Sequence, residues 1–160
     1  FLLITQFDYY GWALILFILA SISDYWDGFL ARKYQLESTI GSVLDPIADK
    51  ILVTFLILGL SIELSSIYIG LIGGVILVRE FWIAALRDLN ARQGNHDATK
   101  VTIFAKMKTT FQFISFASFL AGLYFNNSLV LFISNFLLFL AAILTLQTGL
   151  QYTYTTFKIR

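Results

Sequence analysis

The sequence predicts an all-α integral membrane protein, a bundle of six transmembrane helices whose first member is truncated in this chain. Three observations carry the prediction. Apolar residues make up 58% of the 160, and mean hydropathy is +0.78; a soluble domain has too little polar surface to carry that load in water. The apolar runs reach the length that a bilayer crossing needs, about 20 residues. The polar segments between them are short, and lysine and arginine gather at every second one. The absence of cysteine excludes disulfides and thiolate metal sites. The basic residues form no stripe interleaved with base-stacking aromatics, which excludes a nucleic-acid partner. No internal repeat or low-complexity tract divides the chain, so residues 1–160 read as one membrane-embedded domain.

The elements follow in order. Phe1 to Ile4 are apolar with no polar start, as at the tail of a membrane helix. Asp8 to Gly11 make a turn, and a second span runs from Trp12 through Ile22 to a polar end holding Asp24 and Asp27. Arg32 to Thr39 read as a polar connection. A third span covers about Gly41 to Ile62, with Asp45 and Asp49 in its first turns, and Glu63 to Ser66 form a tight turn. The fourth span, Ile67 to Leu89, is interrupted by Arg79 and Glu80. Asn90 to Lys100 form the longest polar segment, and its His96 is read as solvated rather than catalytic. A fifth span runs from Val101 to Phe125 with Lys106 and Lys108 near its start. Asn126 to Ser128 turn the chain into a sixth, Leu129 to Tyr154.

Charge sets the orientation. Arg32 and Lys33, then Arg87, Arg92 and Lys100, then Lys158 and Arg160 fall on one side. The turns around Asp8, Glu63 and Asn126 carry no lysine or arginine. The first side is therefore cytoplasmic.

Four carboxylates mark the chemistry. Asp24 and Asp27 are three residues apart, Asp45 and Asp49 four, and both separations place helical side chains on one face. Four converging carboxylates in a poorly solvated place repel one another unless a cation sits among them. All-oxygen ligands favour a hard ion, Mg²⁺ or Mn²⁺, and one or two such ions can bind phosphate oxygens. An alternative for one of the four is that Asp45 caps a helix starting at Pro46, a residue suited to a first helical turn. Gly28, Ala31 and Gly41 are small enough either to admit a ligand near the backbone or to pack helices closely. Arg32 suits a phosphate contact or an interfacial anchor. Arg79 and Glu80 lie about 18 Å along the fourth span, deep enough to face the bundle interior. Arg79, Arg87, Lys106 and Lys108 together can form a pocket for an anionic head group; the simpler reading is an ion pair plus lysines that follow the charge rule.

Written out, the acidic stretch is D-x2-D-G-x2-A-R-x8-G-x3-D-x3-D, from Asp24 to Asp49. This resembles the signature of the CDP-alcohol phosphatidyltransferases, with every position filled. The resemblance implies a CDP-linked lipid substrate whose pyrophosphate lies on the metal, with CMP as leaving group. It implies Asp24, Asp27 and Asp45 as principal metal ligands, with Asp49 as both ligand and the base that takes the acceptor's hydroxyl proton. It also implies contacts to the CDP-lipid from Asp24, Gly28, Ala31, Arg32 and Gly41. The segments REFWIAALRDL (Arg79 to Leu89), AKMKTTFQF (Ala105 to Phe113) and AAILTLQTGLQY (Ala141 to Tyr152) are similar to bacterial members that use glycerol 3-phosphate. That similarity implies this acceptor, with Arg79, Arg87, Lys106 and Lys108 around its phosphate. It further implies a homodimer in the bacterial inner membrane, its active site facing the cytoplasm. Ala105 departs from the usual glycine of its segment, and the N-x2-T-x2-R pattern of the family's first helix is not in this chain. Two alternatives stand beside this reading. One keeps the chemistry and changes the acceptor to phosphatidylglycerol or an inositol phosphate. The other is a transporter, for which inverted repeats and broken helices would be expected and are not seen.

Overall fold

A computed structural model describes residues 1–34, 39–93 and 103–158, without the side chains of residues 24, 25, 27–29, 31, 32, 39–43 and 45. The described residues form helices and no strand: α1 (Leu2–Thr5), α2 (Tyr10–Tyr34), α3 (Thr39–Glu63), α4 (Ile67–Arg92), α5 (Ile103–Tyr124) and α6 (Ser128–Lys158). Among the described residues, α4 and α6 are long and apolar enough to cross a membrane by composition alone. The expected six spans are not all met by that test. The four residues of α1 are too few to cross, and the apolar stretch Tyr10–Ser23 of α2 is shorter than a full span.

The turns form where expected, and for identifiable reasons. Asp8, Ser65 and Asn126 adopt φ of 53°, 47° and 48°, the left-handed region that reverses a chain and that Asp and Asn tolerate best among residues with a side chain. Ser66 caps α4 by accepting from the Ile69 amide at 3.4 Å. Asn127 Oδ1 accepts from the Leu129 and Val130 amides at 3.0 and 3.2 Å and so starts α6. All three turns lie at one end of the molecule. The Tyr10 hydroxyl donates to Glu63 Oε1 at 2.6 Å, and a Cβ on Gly11 would touch the Tyr124 ring.

Several boundaries differ from the sequence reading. Arg32 to Thr39 are not one loop, because α2 continues to Tyr34 and α3 begins at Thr39. The alternative helix start at Pro46 is not taken: α3 begins at Thr39, close to the expected Gly41, and Pro46 is inside it, so Asp45 is no N-cap. A proline there has no N–H to give the carbonyl four residues back; the helix carries it one residue after Asp45. α4 also runs on to Arg92, taking Asn90 out of the polar segment. His96 and Lys100 lie outside the described residues.

The helices close a ring. α5 lies against α6, α6 against α4, α4 against α3, α2 against α5, and α1 against both α2 and α3. Its core holds Phe17, Leu60, Ile76, Phe116, Phe119 and Leu138, all buried. At Gly73, α3 and α4 are so close that a Cβ would fall 2.3 Å from Ile57 Cγ2. The paired contacts Arg79–Thr148, Trp82–Thr153 and Asn90–Thr156 advance together, so α4 and α6 run parallel. Polar side chains face inward and bond across helices, as Ser115 does to the Ser134 carbonyl at 2.9 Å, a membrane-type glue. The outside is apolar: Val78, Phe132 and Leu150 are 71%, 75% and 73% exposed. Greasy side chains turned out and hydrogen-bonding ones turned in identify a membrane protein.

Candidate active site

Asp24 and Asp27 lie in the C-terminal part of α2, and Asp45 and Asp49 in the first turns of α3. The two helices are joined across residues 35–38. Five Cα steps separate Tyr34 from Thr39, so those ends lie at most about 18 Å apart. Both acidic pairs therefore belong to one end of the bundle, opposite the three turns. The side chains of Asp24, Asp27, Gly28, Ala31, Arg32, Gly41 and Asp45 lie outside the description. Among the described residues, no three His, Cys, Asp or Glu side chains come together.

Asp49 is described, and its surroundings are informative. It is exposed and borders a cavity of about 160 Å³ between α3, α4 and α5, whose polar lining is Asp49, Lys50, Glu80, Lys108, Thr109 and Gln112. The cavity joins Asp49 of α3 to Glu80 of α4 and Lys108 of α5. Gln112 is 4% exposed and lines this space with no hydrogen bond among the described residues.

The basic residues divide into two groups. Lys108 is buried and pairs with Glu80 Oε1. Arg79 Nη1 lies 3.5 Å from the same oxygen, and its Nη2 donates to Thr148 Oγ1 at 2.7 Å. Its Nε is buried without a hydrogen-bond partner among the described residues. Gly149 makes room for this guanidinium, since a Cβ there would stand 3.1 Å from Arg79 Cγ. Arg79 faces an apolar groove between α4 and α6, lined by Val78, Trp82, Leu146 and Leu150, rather than the Asp49 cavity. Glu80 bridges the two. Lys106 and Arg87 are exposed. Lys106 precedes Lys108 by two residues, which turns it to the other side of α5. Arg87 is still close enough to act electrostatically on both Arg79 and Lys108.

Of the four cations expected around an acceptor phosphate, Lys108 alone lines the Asp49 cavity; Arg79 reaches it through Glu80. The sequence reading missed Gln112, Lys50, Thr109 and Thr148. Lys108 and Gln112 are four residues apart, which puts them on one face of α5, and this spacing was a usable signal. Thr148 had none, because α6 reads as apolar around most of its circumference.

A family model described as CDP-alcohol phosphatidyltransferase matches residues 1–147. The chain is 35% identical over 140 residues to the CDP-diacylglycerol–glycerol-3-phosphate 3-phosphatidyltransferase of Escherichia coli (strain K12), covering 88% of this chain and 75% of that protein. The protein of the same name from Shigella flexneri serotype 5b (strain 8401) matches at 35% over 140 residues, with the same coverage. That of Salmonella choleraesuis (strain SC-B67) matches at 34% over 156 residues, 95% of this chain and 84% of the relative.

Proposed function

The chain belongs to the CDP-alcohol phosphatidyltransferase family, and from that premise we propose that it transfers the phosphatidyl group of CDP-diacylglycerol to glycerol 3-phosphate, giving phosphatidylglycerophosphate and CMP. The observation that carries the reading is the cavity shared by Asp49 and Lys108: a carboxylate able to take a proton stands across from a buried cation able to hold a phosphate.

The donor set fits a hard divalent ion. Four carboxylates at helical spacings of three and four, on two helix ends joined by a short connection, supply oxygen ligands only. Asp24, Asp27, Asp45 and Asp49 would hold Mg²⁺ or Mn²⁺, which when bound offsets charge on the pyrophosphate oxygens. Gly28, Ala31 and Gly41 leave space for the CDP moiety beside Asp24, and Arg32 suits its phosphates. Lys108 holds the acceptor's phosphate, with Arg79 and Arg87 adding positive potential, while Lys106 is turned to the other side of α5. Held there, the acceptor's free hydroxyl points across the cavity to Asp49. Its oxygen forms the new bond to the phosphorus that carries diacylglycerol, and the proton passes to Asp49. The bond from that phosphorus to the CMP oxygen breaks, and CMP leaves with the electron pair. Fixing both reactants in one cavity supplies much of the rate through proximity.

The same reading places one domain, residues 1–160, in the bacterial inner membrane as a homodimer. α2, α3 and α5, at 25, 25 and 22 residues, exceed the roughly 30 Å of a hydrocarbon core at 1.5 Å per residue. With α4 and α6 they make five crossings. The charge pattern puts the carboxylates on the cytoplasmic side, where a soluble acceptor reaches them.

The test is CMP release by detergent-purified protein from CDP-diacylglycerol, offered glycerol 3-phosphate, phosphatidylglycerol or an inositol phosphate in turn. Turnover is expected with glycerol 3-phosphate alone, abolished by EDTA, restored by Mg²⁺, and lost in Asp49→Asn. Turnover with a different acceptor would keep the phosphoryl chemistry and overturn the acceptor assignment.

A further inference from the structure

The two buried cations of the site share one carboxylate. Lys108 Nζ and Arg79 Nη1 both approach Glu80 Oε1, one from α5 and one from α4. The three do not lie equally deep. The side chains of Lys108 and Arg79 are 7% and 9% exposed, that of Glu80 27%. Glu80, like Lys108, lines the cavity that holds Asp49. An anion coming from the cavity toward the cations therefore meets Glu80 first.

Charge makes this arrangement a competition. Two cations and one carboxylate leave a single excess positive charge in a poorly solvated place. Without Glu80 the cations would repel each other at a steep desolvation cost. With Glu80 in place, an arriving phosphate faces a like charge at the position it must occupy, which is unfavourable. Resting on the acceptor reading above, we propose that Glu80 is the resident anion of the acceptor site. It holds Lys108 and Arg79 while the site is vacant, and it turns out into the cavity to yield Lys108 to the acceptor's phosphate. Glu80 is thus a positioning residue that sets acceptor affinity, since ligand binds only to the fraction of molecules in which Lys108 has been released. It also serves selectivity: a neutral alcohol brings no charge to replace the carboxylate, so it gains nothing from Lys108.

The test is steady-state kinetics of Glu80→Gln, which keeps shape and removes charge. The KM for glycerol 3-phosphate is expected to fall on the order of tenfold. Inhibition by inorganic phosphate should strengthen in parallel, while the KM for CDP-diacylglycerol stays constant. A merely structural ion pair would instead give an unchanged or higher acceptor KM, and that result overturns the proposal. If Glu80→Gln does not fold, Glu80→Asp decides. Its shorter carboxylate draws back from Lys108 and is expected to lower the acceptor KM by a smaller factor; an unchanged or raised value overturns the proposal. Lys108→Gln separates the two levels of inference. If it leaves the acceptor KM unaltered, the acceptor reading itself fails. If it raises that KM while the Glu80 variants do not lower it, only the role of Glu80 fails.

Discussion

Thr148 offers a direct measure of how the buried guanidinium is held. Its hydroxyl accepts from Arg79 Nη2 at 2.7 Å and itself donates to the Leu144 carbonyl at 2.7 Å. Thr148→Val keeps the branched shape and removes only the oxygen. The Leu144 carbonyl retains its place in the helix ladder, so the net loss falls on Arg79, whose Nε is already unpartnered among the described residues. Stranding a buried donor costs about 1–3 kcal/mol, but hydrogen bonds between helices in bilayers are measured at about 0.6–1.7 kcal/mol. The lower range applies, because membrane-unfolded helices find other partners. We expect Thr148→Val to destabilise the protein by about 0.6–1.7 kcal/mol, read from SDS-driven unfolding in mixed micelles. Thr148→Ser should stay near the wild type. A double-mutant cycle with Arg79→Met should return a coupling of similar size, since removing either partner removes the same bond. Additivity within about 0.3 kcal/mol would refute the reasoning, and so would a serine variant as unstable as the valine.

Two further outcomes are expected. Gln112→Met replaces a buried amide that lines the Asp49 cavity with an apolar side chain of similar length. The KM for glycerol 3-phosphate should increase several-fold; an unchanged KM would show that the amide does not face the acceptor. Gly73→Ala places a methyl 2.3 Å from Ile57 Cγ2, and overpacking of this kind costs about 1–3 kcal/mol. In a double-mutant cycle with Ile57→Ala the two losses should fall well short of additive in the same unfolding measurement, and strict additivity would mean that α3 and α4 are not in contact there.

How much was legible beforehand depended on the kind of signal. Spacing along a helix is a local property, so the one-sided aspartate pairs could be read directly, as could the three cation-free turns. Hydropathy marked the helices, yet it misjudged their ends at Arg32, Asn90 and Tyr154. Helices at a membrane surface continue into water without any change that composition records. The start of α3 at Thr39, close to the expected Gly41, ruled out the alternative start at Pro46.

What the sequence by itself determined is the class, the order of helices and the acidic motif, all set by hydrophobicity and period along one segment at a time. Which face of each helix turns inward was decided by tertiary structure. In a soluble bundle an apolar stripe would mark that face; here lipid and core are equally apolar, and the stripe vanishes. So Lys106 and Lys108 looked alike in sequence, and only the tertiary arrangement, which brings Lys108 of α5 within reach of Glu80 of α4, buried the one and left Lys106 exposed. The pairing of Arg79 with Thr148 joins residues 69 apart in the chain, and no local pattern on either helix encodes it.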